Sequence, residues 1–150
     1  MVPLAPRHRS LRVLCIEEDD IQRKLLQACF DVIRAEAFFA LNAADAEFIF
    51  RRHPMDIVFM DIDLHSAEEL AAFERMRATP RRSQVPILAL TVNDCDWPQS
   101  AYREVGFAAL FLKPIEPIRL FQMIDTVLRD ASQPPLLADG REPFSNAQFA

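Results

Sequence analysis

Four acids stand in a row at positions 17–20, Glu17-Glu18-Asp19-Asp20, directly after the apolar run RVLCI. Further along, Asp61 closes the run Asp56-Ile57-Val58-Phe59-Met60-Asp61, Thr91 follows Pro86-Ile87-Leu88-Ala89-Leu90, and Lys113, one of only two lysines, follows Ala109–Leu112. Clustered carboxylates repel one another, and a hard divalent cation relieves that repulsion. Such a cation can also neutralise a phosphoryl oxygen during in-line displacement. An ammonium supplies a point charge for a second oxygen and a threonine hydroxyl a hydrogen bond for a third. The chemistry that suits this set is phosphoryl transfer to a carboxylate, with Asp61 as nucleophile because packing around its strand would hold it still. Taken singly, each residue also has a plainer role. The four acids suit the positive end of a helix, Asp61 can cap the turn after its strand, Thr91 is a common turn residue, and Lys113-Pro114 can be a simple strand-to-loop turn.

The joint reading requires that four separate segments end at one edge, and the order of elements supplies this. RVLCI (12–16), AFFAL (37–41), 56–61, 86–90 and 109–112 read as five strands. The third and fourth are apolar without alternation, the pattern of strands covered on both faces in a parallel sheet. Between and after them, helical spacing predicts helices over about 21–34, 44–52, 66–77, 98–105 and 116–129. Their expected inner residues include Ile21, Leu25, Leu26, Cys29, Val32 and Ile33 in the first, and Ile118, Phe121, Met123, Ile124 and Leu128 in the last. Asp19 or Asp20 can cap the first helix, Asn42 precedes the second, and Gly106 suits the end of the fourth. Strand and helix alternating five times implies an open α/β, doubly wound sheet of parallel strands with helices on both faces. Ligands of such sheets bind outside the carboxyl ends of the strands, where Glu17, Glu18, Asp61, Thr91 and Lys113 stand.

Composition narrows the classes further. Hydrophobic residues form 51% and charged residues 26% of the 150 positions, which suits one folded domain with a full core. Residues 1–10 read as a flexible N-terminal segment, 11–130 as the folded domain, and 131–150, with Pro134, Pro135 and Gly140, as a flexible tail. The net charge of −5 speaks against nucleic acid as the main partner. No apolar stretch approaches the ~20 residues that span a bilayer, and the basic, proline-rich start lacks a signal-peptide core, so a cytoplasmic protein without membrane contact is expected. Cys15, Cys29 and Cys95 are odd in number and show no paired spacing, so all three are read as free thiols.

VLCIEEDDIQRKLL, DIVFMDIDL, VPILALT and GFAALFLKP, in this order across about 11–130, resemble the CheY-like receiver domain of two-component response regulators. The resemblance implies a flavodoxin-like three-layer fold of five strands in the order 2-1-3-4-5. It implies that Asp61 accepts a phosphoryl group from a histidine kinase or histidine phosphotransfer protein. Glu17, Glu18, Asp61 and the backbone carbonyl of Asp63 would hold magnesium, with Thr91 as the switch hydroxyl and Lys113 as the phosphate-binding lysine before a cis Pro114. The kinase-side partner would meet Ile21, Gln22 and Leu25 on the first helix and Pro114 and Ile115 after the fifth strand. No turnover enzyme is implied beyond loss of the domain's own phosphoryl group.

The sequence also departs from that pattern. Glu18 stands where the family has Asp, His65 and Glu69 replace a common Pro and Gly, and Leu110 occupies the place of the switch aromatic. These changes motivate a rival, a phosphorylation-independent pseudo-receiver that only binds a partner. Asp61-Ile62-Asp63 suggests a second rival, a haloacid-dehalogenase-like phosphatase, although no acid pair after Lys113 completes that signature. A DNA-binding output unit would need roughly 60 further residues, more than the tail offers, so output through an unidentified downstream protein is expected. Trp97, Tyr102 and Phe107 are candidates for the responsive surface, and Phe144 and Phe149 in the tail for a docking motif.

Overall fold

A computed structural model describes residues 10–92 and 97–130; Cys95, Phe144, Phe149 and the two terminal segments lie outside the described residues. The chain runs β1 (Arg12–Ile16), α1 (Asp20–Val32), β2 (Glu36–Ala40), α2 (Ala43–Arg52), β3 (Ile57–Asp61), α3 (Ala67–Arg77), β4 (Ile87–Val92), α4 (Gln99–Val105), β5 (Ala109–Lys113) and α5 (Pro117–Asp130). All strand pairs are parallel, in the order β2-β1-β3-β4-β5. The expected α/β architecture and strand order are therefore present, with element ends shifted by one or two residues.

Period-two alternation along each strand divides the core into two layers. Leu14, Ile16, Val58, Met60 and Ala89 pack with Ala46 and Phe50 of α2, Phe73 and Met76 of α3, and Tyr102 of α4. Val13, Cys15, Phe59, Leu88, Leu90 and Phe111 pack with Leu26 and Phe30 of α1 and with Leu120, Met123 and Ile124 of α5. Phe59 is fully buried, its ring 6.0 Å from that of Phe30. Burying a phenylalanine contributes about 2–3 kcal/mol, so β3 is fixed along its length and Asp61 leaves a rigid support.

Local chemistry sets the helix ends. The Asp19 side chain accepts from the Gln22 amide at 2.8 Å, and Asn42 from Asp45 at 2.8 Å, each satisfying an orphan first-turn N–H. Gly106, at φ +122°, ends α4; a Cβ there would collide with the Arg77 guanidinium, which donates to the Val105 carbonyl at 2.9 Å.

Some apolar residues expected to face inward do not. Ile21, Val32 and Ile118 are 76%, 72% and 71% exposed, lying just off the buried stripes of α1 and α5. Thr91, expected at the end of its strand, is the penultimate residue of β4. Tyr102 and Phe107 are buried against α3, with the Phe73 and Phe107 rings stacked 4.0 Å apart, so of the three aromatic candidates for a responsive surface only Trp97 is exposed. Among the described residues no helix is long and apolar enough to cross a membrane.

Candidate functional site

The strand register explains how distant residues meet. Ile16 pairs with Met60, so Glu17, one step on, comes beside Asp61; Asp61 pairs with Leu90, one before Thr91; and Val92 pairs with Lys113. Alternation then sets the faces. Glu17, Asp61 and Lys113 continue the side carrying Cys15, Phe59 and Phe111, while Thr91 continues the opposite side, that of Ala89.

On the first side opposite charges are already joined. Lys113 Nζ lies 2.7 Å from Glu17 Oε2 and 3.1 Å from Asp61 Oδ2. The other Glu17 oxygen accepts from the Asp19 amide at 3.2 Å. Arg23 donates to the carbonyls of Glu17 and Glu18, at 3.2 and 2.9 Å, and pairs with Asp20, fixing the β1–α1 turn. Burial by itself would lower the Lys113 pKa. The hydrogen bond to Glu17 and the charge and hydrogen bond of Asp61 outweigh it, holding the ammonium above its ordinary value. Beneath this cluster the buried Cys15 thiol is pushed well up, first by burial and then by the Glu17 charge.

Toward the β3–α3 loop, past the strand ends where the two sides meet, a cavity of about 680 Å³ opens, its wall including Glu18, Asp61, Asp63, Glu69, Thr91 and Lys113, with His65 and Trp97 at 5.3 Å ring separation. Glu69, marked in the sequence only as a departure from a common Gly, is a further acid on this wall. Its Oε2 accepts from the Asp63 amide at 2.8 Å, while its own amide donates to Ser66 Oγ. Burial raises its pKa, the Asp63 N–H lowers it, and the nearby charges of Asp61, Asp63 and Glu18 raise it further, for a net upward shift.

The donor set around this cavity suits magnesium. Glu18 and Asp61 present carboxylates to the cavity beside the Asp63 backbone, and magnesium takes one or two carboxylates while keeping several waters. Among the described residues no three acids, histidines or cysteines converge into a ready cage. Glu17 stands apart from the expected ligand set: it is 1% exposed, does not line the cavity, and both its oxygens hold hydrogen bonds.

A sequence profile of the response regulator receiver domain matches residues 13–125, three quarters of the chain and the whole span from β1 into α5. The chain belongs to the receiver domain family. The polar-differentiation response regulator DivK of Brucella anthropi is 24% identical over 119 residues, spanning 79% of this chain and 97% of that protein. Among solved structures, the receiver domain of the sensor histidine kinase PA1611 from Pseudomonas aeruginosa, which has a magnesium ion coordinated in its active-site cleft, superposes with a TM-score of 0.71 at 19% identity, covering 81% of this chain and 99% of that one. The receiver domain of Saccharomyces cerevisiae Ssk1, solved with the histidine phosphotransfer protein Ypd1, gives 0.65 at 18% identity, covering 83% and 92%. The family is one of signalling modules in two-component systems, and the phosphatase reading of Asp61-Ile62-Asp63 gives way to it.

Within this receiver domain the other expected positions fall as follows. Thr91 is 6% exposed at the cavity wall. The Lys113-Pro114 peptide is cis. Ile21 and Pro114 are exposed and Gln22 and Leu25 half-buried, whereas Ile115 is 5% exposed and packs with Leu120 and Met123, which leaves little of its side chain for a partner. Leu110, at the switch-aromatic position, is buried in the layer of α2, α3 and α4.

Proposed function

We propose that this receiver domain accepts a phosphoryl group on Asp61 from a histidine kinase or histidine phosphotransfer protein, in a magnesium-dependent reaction, and signals through protein–protein contact. The observation that carries the reading is the bridge from Lys113 Nζ to Asp61 Oδ2 at 3.1 Å, on a carboxylate that also borders the acid-lined cavity. Asp61 is the nucleophile: one of its oxygens attacks phosphorus as the donor's bond breaks. Lys113 then offers its charge to a phosphoryl oxygen and Thr91 its hydroxyl to another. Glu18, Asp61 and the Asp63 carbonyl are the residues that would hold magnesium, with Glu17 supporting from behind. Bound there, the ion would offset the repulsion among the carboxylates and the charge on a phosphoryl oxygen.

The new group brings close to two negative charges. That charge draws Thr91 and Lys113 inward and biases the loops after β3 and β4 between two arrangements. Slow hydrolysis of the aspartyl phosphate resets the domain. Ile21, Gln22, Leu25 and Pro114, with the rim of Ile115, form the face offered to the kinase-side partner; the Ypd1–Ssk1 complex of the neighbouring structure supports the class of partner, a histidine phosphotransfer protein. The folded unit spans 11–130 and works in the cytoplasm.

A second reading, a pseudo-receiver that binds its partner without phosphorylation, draws on Glu18, His65, Glu69 and Leu110. Mass analysis after incubation with magnesium and acetyl phosphate separates the two. The phosphoacceptor reading expects a gain of one phosphoryl group that is lost in Asp61→Asn, a variant that keeps the fold. A folded protein with no gain supports the pseudo-receiver.

A further inference from the structure

Glu69 sits three residues after Ser66, the N-cap of α3, in the spacing of a capping box. In such a box the glutamate returns to the backbone N–H of the cap residue itself. Here the Ser66 N–H is already taken, donating to the Asp63 carbonyl at 2.9 Å, and Glu69 reaches past it to the Asp63 N–H at 2.8 Å. Both Glu69 and Asp63 line the cavity beside Asp61. A carboxylate is thus held within electrostatic reach of Asp61, Asp63 and Glu18, on a backbone donor two residues past the phosphoacceptor.

A phosphoryl group on Asp61 would bring three strong acceptor oxygens and nearly two charges into the same cavity. Backbone N–H groups are effective partners for such oxygens, and Glu69 presents a like charge at the Asp63 N–H. We propose that Glu69 acts as an internal anion that occupies this donor in the unphosphorylated domain and must release it when a phosphoryl group arrives. Phosphorylation is thereby opposed by a residue of α3, and release of Glu69 removes one tie between that helix and the loop before it. The role rests on the phosphoacceptor reading. Glu69 is a positioning residue here: it acts through the Asp63 backbone and forms no bond to the transferred group.

The experiment uses the full chain with Glu69→Gln and Glu69→Ala. Glutamine removes the charge and keeps an acceptor for the Asp63 N–H; alanine removes both. Acetyl phosphate with magnesium supplies the reaction, in which an Asp61 oxygen forms the new P–O bond while the donor's P–O bond breaks and acetate leaves. Beryllium fluoride with magnesium supplies a non-reacting phosphoryl mimic, read by fluorescence of Trp97, the single tryptophan of the chain, which lines the cavity. Magnesium alone is titrated as a third measurement.

Both variants are expected to bind beryllium fluoride more tightly, alanine by about tenfold and glutamine by less, the scale of one lost competitor. Both are also expected to take up phosphoryl faster, with magnesium affinity within about twofold of the parent. A Glu69→Ala protein that loses thermal stability without gaining affinity, beside a Glu69→Gln protein identical to the parent, reduces Glu69 to a helix cap and overturns the inference. A tenfold or greater loss of magnesium affinity in both variants makes Glu69 a metal ligand instead and also overturns it. If the parent takes up phosphoryl and the variants merely match it, this role alone fails. If no protein of the three responds to either reagent, the phosphoacceptor reading fails with it.

Discussion

On the flank of Asp61 that faces β1 and β5, opposite charges have met: Lys113 bridges Glu17 and Asp61, and Glu17 is 1% exposed. On the flank facing the β3–α3 loop, like charges gather: Glu18, Asp63 and Glu69 crowd the same aspartate, and Glu69 is held by a backbone amide. The first flank is finished structure, so damage to it should appear as lost stability. The second is frustrated, so damage there should leave the fold alone and alter what the cavity binds. One carboxylate thus stands between a permanent cation and a place suited to a transient one.

The largest expected effect breaks the finished flank. Lys113→Met leaves Glu17 buried without its counter-charge, a change that costs about 3 kcal/mol, at the low end of the range because the lysine side chain is 14% exposed. Urea unfolding measures this, and Glu17→Gln in the same background should return part of the loss through their coupling. A loss below about 1 kcal/mol would show the pair to be worth no more than a surface bridge and erase the contrast.

Next, Glu18→Ala removes an exposed acid from the frustrated flank. Magnesium affinity should fall about tenfold, equivalent to about 1.4 kcal/mol, while metal-free stability stays within about 0.5 kcal/mol. Titration calorimetry reads the first and thermal denaturation the second. Unchanged affinity would move the ion away from Glu18. The smallest effect marks the border of that side, where a helix end and not a charge is removed: Ser66→Ala takes away the α3 cap that the Glu69 amide uses and, unlike a change to the flank's acids, should lower stability by about 1 kcal/mol in thermal or urea unfolding. A neutral result would mean that the Glu69–Asp63 hydrogen bond holds this loop without its cap.

The contrast also explains what could be read from the chain. The alternation of strands and helices and the convergence of Asp61, Thr91 and Lys113 on one edge were legible because they follow from apolar runs, their punctuation and the geometry of parallel sheets, whereas the strand order came only with the family resemblance. Which partner Glu17 chooses was not, since Lys113 lies 96 positions away and only strand register brings the two together. Ser66 and Glu69 carried a visible signal in their three-residue spacing, but the pattern predicts a bond to the cap residue, and tertiary contacts divert it to Asp63. Ile21, Val32 and Ile118 misled because helical spacing fixes a stripe only to within about one residue at helix ends, where the chain leaves the core.

Borohydride trapping tests the central claim most directly. The protein is incubated with magnesium and acetyl phosphate, treated with sodium borohydride, which reduces an aspartyl phosphate to homoserine, and digested for peptide mass mapping. The account predicts homoserine at position 61 alone, absent when the metal is chelated. Homoserine at another acid, or none from a folded and metal-loaded protein, would contradict it.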